Sequence, residues 1–262
     1  INKKIINIKV EEKPTGEIMA GAGVSTNGGT VAFGVTENNF LGRGIEFATD
    51  INVSEESIKG LISLNNPNYK GSNRSLTTSL ESTITDRLTN FGYKSNKTGF
   101  AVGSGFEFYD DLYWNTGISS YVEKLETDST ASASMKKQEG SYFDTFYNHT
   151  FSYDKRNQKY QASDGYISRF TQNIPLISES YTLTNIYDYK IYNEWLDENI
   201  FSIGFFGKTA NSLSGKDIKL SDRLFLPASK LRGFESGKVG PKDGNDYILS
   251  LIHISEPTRQ EA

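Results

Sequence analysis

The sequence predicts an all-β protein whose antiparallel strands form part of a transmembrane β-barrel. Segments of about 8 to 14 residues alternate apolar and polar side chains with a period of two, and the roughly 9–11 residues that a tilted membrane strand needs fall within this range. The polar positions are mostly Ser, Thr, Asn and Gly, as expected for a wet lumen. Tyr and Phe gather near strand ends, as in interfacial girdles. A soluble antiparallel sandwich would also alternate, but these features favour the barrel.

The first strand shows the pattern clearly. Ile18, Ala20 and Ala22 fall on one face, and Gly21 and Gly23 fall on the other. The Asn-Gly pair that follows predicts a hairpin turn. Period-two alternation, interrupted by Gly, Asn, Asp and Ser clusters, predicts strands at 17–25, 29–37, 43–54, 57–66, 72–86, 97–108, 111–124, 141–154, 164–174, 180–193 and 198–208. A twelfth strand is predicted to begin near Asn245.

Domain boundaries follow from the start of the chain. Residues 5–11 also alternate as a strand, but a Lys-Pro-Thr-Gly sequence separates them from the first barrel strand. We therefore predict that residues 1–13 are the last strand of a preceding domain and that residues 14–248 form a partial barrel. With the N-terminal end in the periplasm, the long connections at 125–140 and 209–244 are external, which is the asymmetry expected of such barrels.

Composition argues against several classes of function. A net charge of −4 gives no reason to expect nucleic acid as a partner. The absence of cysteine removes disulfides, thiolate nucleophiles and thiolate metal sites. His149 lies among aromatic residues on a predicted strand, and Asp110 with Asp111 forms a turn pair, so no catalytic or metal-binding group is assembled. We expect no enzymatic activity, no metal and no other cofactor.

The most specific motif lies in a loop near the C-terminal end. It consists of Leu231, Arg232, Gly233 and Phe234, followed by Gly237, Gly240 and Pro241. The motif resembles the Arg-Gly-aromatic signature of the sixth external loop of the Omp85 superfamily, the surface antigen D15-like barrels. Turns at 37–44, 66–69 and 153–165 resemble family turns in the same order. The resemblance implies that the loop folds into the lumen, where the forked guanidinium of Arg232 pairs with an acidic residue on a later strand.

The resemblance stops after Ile248. Residues 249–262 resemble the translation of an adapter used in DNA library preparation, so we expect them to be a non-native tail. The alternative is an evolved amphipathic strand that carries Leu251, Ile252 and Ile254. On the first interpretation, the chain holds about twelve of the roughly sixteen strands of a family barrel, preceded by the end of a periplasmic POTRA domain.

The resemblance also implies a function. It predicts an outer membrane protein assembly factor, which inserts and folds β-barrel proteins in the bacterial outer membrane. Its partners would be unfolded outer-membrane proteins, accessory lipoproteins and the lipid bilayer. The first strand would be one side of a lateral gate, and the gate residues would be Ile18, Ala20, Gly21, Ala22 and Gly23, because glycines weaken strand packing. Small residues that ease lumen crowding or strand curvature are an equally good explanation.

Two other functions stay open. A sister transporter of the family, either a two-partner secretion pore or an autotransporter-assembly subunit, would carry the same loop motif. A passive porin is the other possibility, but it would need charged rings in the lumen and a constriction loop.

Overall fold

The computed structural model describes the chain from the first barrel strand to the beginning of the last long loop. The described residues are 9, 11, 13–25, 28–88, 92–129, 131–196 and 199–224, with the backbone of the short segments 242–243, 246–247 and 252–255. Of the segment predicted to end a preceding domain, only residues 9, 11 and 13 are described.

Eleven long strands form an antiparallel meander in which each strand pairs with the next along the chain. They are β1 Gly16–Ser25, β2 Gly28–Phe40, β3 Ile45–Ser54, β4 Ser57–Asn66, β5 Arg74–Arg87, β6 Tyr93–Tyr109, β7 Leu112–Thr127, β8 Gly140–Asp154, β9 Gly165–Ile177, β10 Thr182–Leu196 and β11 Asn199–Ser212. The predicted all-β antiparallel fold is confirmed, and each of the eleven predicted strands is present.

Short elements connect or follow the strands. A four-residue helix, α1 (Ala133–Lys136), lies between β7 and β8, and its N-cap residue Ser132 accepts a hydrogen bond from the Met135 amide. Single 3₁₀ turns span Tyr69–Gly71 and Leu220–Asp222. Within the described ranges, no helix has the length and apolar character to cross a membrane.

The end of the chain differs from the prediction of a twelfth strand near Asn245. There, β12 (Lys242–Asp243) pairs with β13 (Asp246–Tyr247) as a separate small hairpin. The twelfth place in the main sheet belongs to β14 (Ile252–Ser255), which pairs with β11 at Phe205–Lys208. An edge strand presents unpaired backbone groups, so even a four-residue segment can add to it.

Successive residues project to opposite faces of the single sheet. On the apolar face, Phe33 is 48% exposed and Phe205 is 38% exposed, so among the described residues no second sheet packs against it. This excludes the soluble sandwich for the part of the chain described. The polar face carries small neutral side chains at mid-strand, among them Ser75, Thr77, Ser79, Asn115, Asn148 and Thr150.

The two ends of the sheet differ. We call the end with the β7–β8 connection the upper end and the end with the β6–β7 turn the lower end. The lower turn is tight: Asp111 has a φ of 62°, and its amide donates to Glu107 Oε1 at 2.9 Å. The upper end holds the buried apolar core, which consists of Tyr93, Leu125, Ala131, Met135 and Leu220.

Candidate functional site

The first strand is an edge of the sheet. β1 pairs with β2 over ten residues, from Gly16 opposite Glu37 to Ser25 opposite Gly28. In the part of the chain that the structure describes, no strand pairs with the other side of β1. A row of backbone donors and acceptors therefore faces away from the sheet, and such a row is a template for another strand.

The five predicted gate residues all lie on this edge strand. Ile18 is 75% exposed and Val24 is 93% exposed. A Cβ added to Gly21 or Gly23 would meet no described atom within 4 Å. Contacts near the lower end hold the start of the strand: the Thr15 hydroxyl donates to Glu37, and the Asn38 side-chain amide donates to the Thr15 carbonyl at 3.2 Å. β1 therefore has a fixed start and a sparsely packed body.

A second site lies on the polar face at the upper end, where the chain returns to the wall after β11. Lys219 is 3% exposed, and its ammonium group donates to Glu123 Oε2 at 3.0 Å and to Asp144. Glu123 on β7 is fully buried and Asp144 on β8 is 1% exposed. The Ser95 hydroxyl completes the cluster by donating to Glu123 Oε1 at 2.6 Å. Three strands and one loop segment thus meet at a single buried cation.

The loop segment adds its own carboxylate. Asp222 Oδ2 lies 3.8 Å from the Lys219 ammonium, one turn further along the chain. Burial alone would lower the pKa of Lys219, but the carboxylates of Asp222, Glu123 and Asp144 outweigh it and raise that pKa above the usual lysine range. Burial raises the pKa of Asp222, and the attraction of Lys219 offsets only part of that rise. The lysine is therefore charged, and three carboxyl groups lie within 4.0 Å of its ammonium group.

Apolar contacts flank the ion cluster. Leu220, beside Lys219, is 2% exposed and lies in the upper core with Met135 of α1. The Leu220 amide donates to Gln138 Oε1 at 3.0 Å. The Tyr142 ring lies 5.0 Å from the Lys219 ammonium, within the range of a cation–π contact. The segment after β11 is thus attached to the β7–β8 connection as well as to the strands.

The expectation of a neutral polar face holds at mid-strand and fails at the upper end. There, a recess of about 270 Å³ is lined by charged side chains, among them Glu81, Arg87, Lys97 and Glu123, and by Ser221 of the loop segment. Lys97 lies 4.4 Å from the centre of the Tyr121 ring. Tyr121 therefore lies on the polar face, although the sequence pattern counts it among the tyrosines of an interfacial girdle.

The predicted loop motif, Leu231 to Pro241, lies outside the described residues.

The sequence motifs gave no indication of the cluster formed by Lys219, Glu123 and Asp144. A usable signal existed for two of them, because Glu123 and Asp144 are charges at inward positions of strands whose mid-strand polar positions are neutral. No comparable signal marks Lys219, which is one of several lysines in a polar loop.

The side chains considered for chemistry have structural roles. His149 lies on the apolar face and its Nε2 is 3.1 Å from Gln172 Oε1. Asp111 pairs with Lys155 at the lower end. In the described ranges, no group of three or more His, Asp or Glu side chains is arranged to hold a metal ion.

Comparison with known proteins agrees with this architecture. A solved structure similar to the chain is BamA from Haemophilus ducreyi lacking POTRA domains 1–3, with a TM-score of 0.78 and 20% identity over 88% of this chain. The match covers 48% of the BamA chain, so this chain spans about half the length of that structure. At this identity the likeness establishes the fold alone. No curated protein matches the chain. The model of the Omp85 superfamily domain matches residues 39–259, and the chain therefore belongs to the Omp85 superfamily.

Proposed function

We propose that the chain is the barrel portion of an outer-membrane protein assembly factor similar to BamA. In this function, unfolded β-barrel proteins pair with β1 before they enter the bilayer. The observation that carries the proposal is the match of residues 39–259 to the Omp85 superfamily domain. The sparse packing around Gly21 and Gly23 supports a role for β1 in pairing with client strands.

The proposed step is β-augmentation. A client strand accepts and donates backbone hydrogen bonds along β1, so recognition depends on the backbone more than on client sequence. The small residues at 20–23 fit this role, because they leave the approach to the strand unobstructed. Once the client completes its own sheet, it leaves the edge. The proposal includes no catalytic group.

The setting follows from the same assignment. The apolar face contacts the lipid bilayer of the bacterial outer membrane, and the upper end is external, with the N-terminal end in the periplasm. Residues 1–13 end a POTRA domain, residues 14–248 belong to the barrel, and residues 249–262 are a non-native addition. The Leu231–Pro241 motif lies in the lumen of the complete barrel. Accessory lipoproteins are the expected periplasmic partners.

A sister transporter of the same superfamily is the second candidate, because it would share the fold and the loop motif. The number of periplasmic domains upstream distinguishes the two. Several such domains are expected for an assembly factor, and fewer for a secretion pore. A passive porin is less well supported, because the mid-strand polar face is neutral where a constriction would need charge.

The test uses adjacent proline substitutions, Gly21→Pro and Ala22→Pro, in the complete protein. In an antiparallel pair, neighbouring residues alternate between donating to the partner strand and facing the free edge. One proline therefore removes a β1–β2 bond, and the other removes a donor available to a client. The measurement is the rate at which an unfolded outer-membrane protein becomes folded in proteoliposomes.

We expect the edge-directed proline to slow client folding about fivefold, the equivalent of about 1 kcal/mol for one backbone hydrogen bond. The β2 amides of the edge-directed variant should be as protected from exchange as in the parent, because its β1–β2 ladder is intact. Hydrogen exchange of the β2 amides identifies which variant left the β1–β2 ladder intact. Unchanged client folding in that variant would contradict the proposal.

A further inference from the structure

We propose that Lys219 is the anchor that fixes the segment 213–224 to the inner wall, so that the loop carrying Leu231–Pro241 starts from a defined point. The segment binds β7 and β8 through the charges of Lys219, Glu123 and Asp144. The anchor itself is independent of the proposed function. Only its consequence for client folding rests on that function.

The first argument is electrostatic. Glu123 and Asp144 are almost fully removed from solvent, and one ammonium group contacts both and offsets the cost of burying their charges. That cation comes from a loop, 96 residues after Glu123 and 75 residues after Asp144. If the loop left the wall, it would leave two carboxylates on the polar face without the ammonium group that contacts both. Release of the segment is therefore unfavourable for the Glu123 and Asp144 carboxylates of the wall as well as for Lys219 of the loop.

The second argument concerns position. Leu220 packs in the apolar core, and Lys219 points to the carboxylates, so the two neighbouring residues need different surroundings. A shift of the segment by one residue in either direction would place an apolar side chain, Ile218 or Leu220, against Glu123 and Asp144. Apolar contacts alone tolerate such shifts, whereas a buried ion pair does not. The pair therefore specifies where the segment docks.

The third argument is that the docked segment joins separate parts of the upper end. It contacts β7 and β8 through Lys219, and the β7–β8 connection through the Leu220 bond to Gln138. Ser221 lines the charged recess beside Lys97 and Glu123. An anchored segment therefore covers this part of the polar face and holds the β7–β8 connection against it.

The test measures how readily the segment leaves the wall. Ser221 Oγ is inaccessible to solvent, so Ser221→Cys is a nearly isosteric reporter that a membrane-impermeant maleimide reaches only after release. The reporter is placed in the complete protein, with any other cysteines replaced. Lys219→Met removes the charge and keeps the chain length. Lys216→Met is the matched control, because Lys216 is an exposed lysine of the same segment.

We expect Lys219→Met to react about tenfold faster than the parent, because the open state becomes more populated. Lys216→Met should react at the parent rate. Labelling is read on the folded, heat-modifiable band only. Equal rates for Lys219→Met and the parent, or faster labelling of Lys216→Met as well, would overturn the anchor.

Lys219→Met leaves two buried carboxylates without their cation, and this could prevent folding. A second variant without any of the three charges is therefore tested as well. In the triple variant Glu123→Gln, Asp144→Asn and Lys219→Met, the carboxylates and the ammonium group are removed together, so the barrel should fold. We expect its segment also to label about tenfold faster than the parent. Parent-like protection would show that apolar contacts hold the segment, and the anchor would be refuted.

Client folding is measured in parallel to separate the two proposals. If Lys219→Met releases the segment and also slows client folding, the anchor positions a loop that the assembly function needs. If labelling rises and client folding does not change, the anchor stands and its contribution to assembly is rejected. Loss of client folding in the β1 proline variant, with normal labelling of the Ser221→Cys reporter, would support the assembly function independently.

Discussion

Gly103 on β6 lies directly opposite Gly117 on β7, and the two backbones approach more closely than a β-carbon would permit. A Cβ added to Gly117 would lie 2.5 Å from the Val102 carbonyl oxygen and 2.8 Å from the Gly103 Cα. At Gly103 it would lie 3.1 Å from the Thr116 carbonyl oxygen. All three obstructing atoms belong to the backbone, so none of them can rotate away. The pair therefore fixes a close approach of the two central strands.

The substitution Gly117→Ala should destabilise the barrel by about 1–3 kcal/mol, because the β6–β7 pair must separate to admit the methyl group. The measurement is the urea midpoint of the complete protein in micelles. Gly60→Ala on β4 is the control, since its nearest contact would be the Ser82 carbonyl oxygen at 4.0 Å. That control should be neutral or slightly stabilising. Equal losses for both variants would show that general strand effects, and not the close approach, account for the change.

A row of polar side chains crosses the apolar face from β8 to β11. His149 Nε2 is 3.1 Å from Gln172 Oε1, Gln172 Nε2 donates to Asn185 Oδ1 at 2.6 Å, and Asn185 Nδ2 donates to Thr209 Oγ1 at 3.2 Å. The four residues are cross-strand neighbours in register. In a bilayer, lateral hydrogen bonds replace the water that these groups would otherwise need.

Replacing the centre of this row tests its role. Gln172→Leu should destabilise the protein by about 1–2 kcal/mol, because His149 and Asn185 each lose a partner on a face without water. Thr171→Val is the matched control: the Thr171 hydroxyl pairs with Thr150 at 2.9 Å on the polar face, where water can substitute. The control should change stability by less than about 0.5 kcal/mol. A larger loss of stability for Thr171→Val than for Gln172→Leu would contradict the assignment of the apolar face to lipid and the polar face to water.

At the lower end, Arg156 binds Asp154 with two donors. Its Nε donates to Oδ1 at 2.8 Å and its Nη2 to Oδ2 at 2.6 Å, while Nη1 donates to the Lys159 carbonyl at 3.1 Å. The fork holds the β8–β9 connection, in which the Asn157 amide donates to the Asp164 carbonyl at 3.1 Å.

Arg156→Lys keeps the charge and loses the fork, so the connection should open more often. We expect the Asn157 amide to exchange about fivefold faster in a hydrogen-exchange experiment, a local loss of about 1 kcal/mol. Lys155→Met, which removes the exposed pair with Asp111, should change that rate by less than about twofold. If both variants exchange alike, the two-point contact has no special role.

The strands could be predicted from the sequence because a sheet with one apolar and one polar face alternates the two kinds of side chain along each strand. The predicted strands are too short where this alternation is weak. β6 begins at Tyr93 and not at residue 97, because the backbone of Tyr93–Asn96 pairs with Lys124–Thr127 of β7. β11 continues to Ser212 because Thr209–Ser212 pair with β10 through backbone bonds, without an apolar side-chain pattern.

The anchor could not be predicted in the same way. Its residues come from two strands and a loop, 75 to 96 positions apart, and a pattern with a period of two carries no information about such contacts. Alternation with a period of two is consistent with Glu123 and Asp144 on the inner face. It does not identify their partner, since any lysine of the segment could have reached them.

The account depends most on the assignment of one face to lipid and the other to water. A scan of single spin-labelled cysteines along β5 tests this directly in proteoliposomes of the complete protein, with any cysteines outside this cysteine-free chain replaced. Labels at Leu76, Leu80 and Ile84 should be accessible to oxygen dissolved in lipid, and labels at Thr77 and Ser79 to a water-soluble nickel reagent. A strict two-residue alternation between the reagents is the predicted result. Equal access of the nickel reagent to all five positions would contradict the membrane assignment.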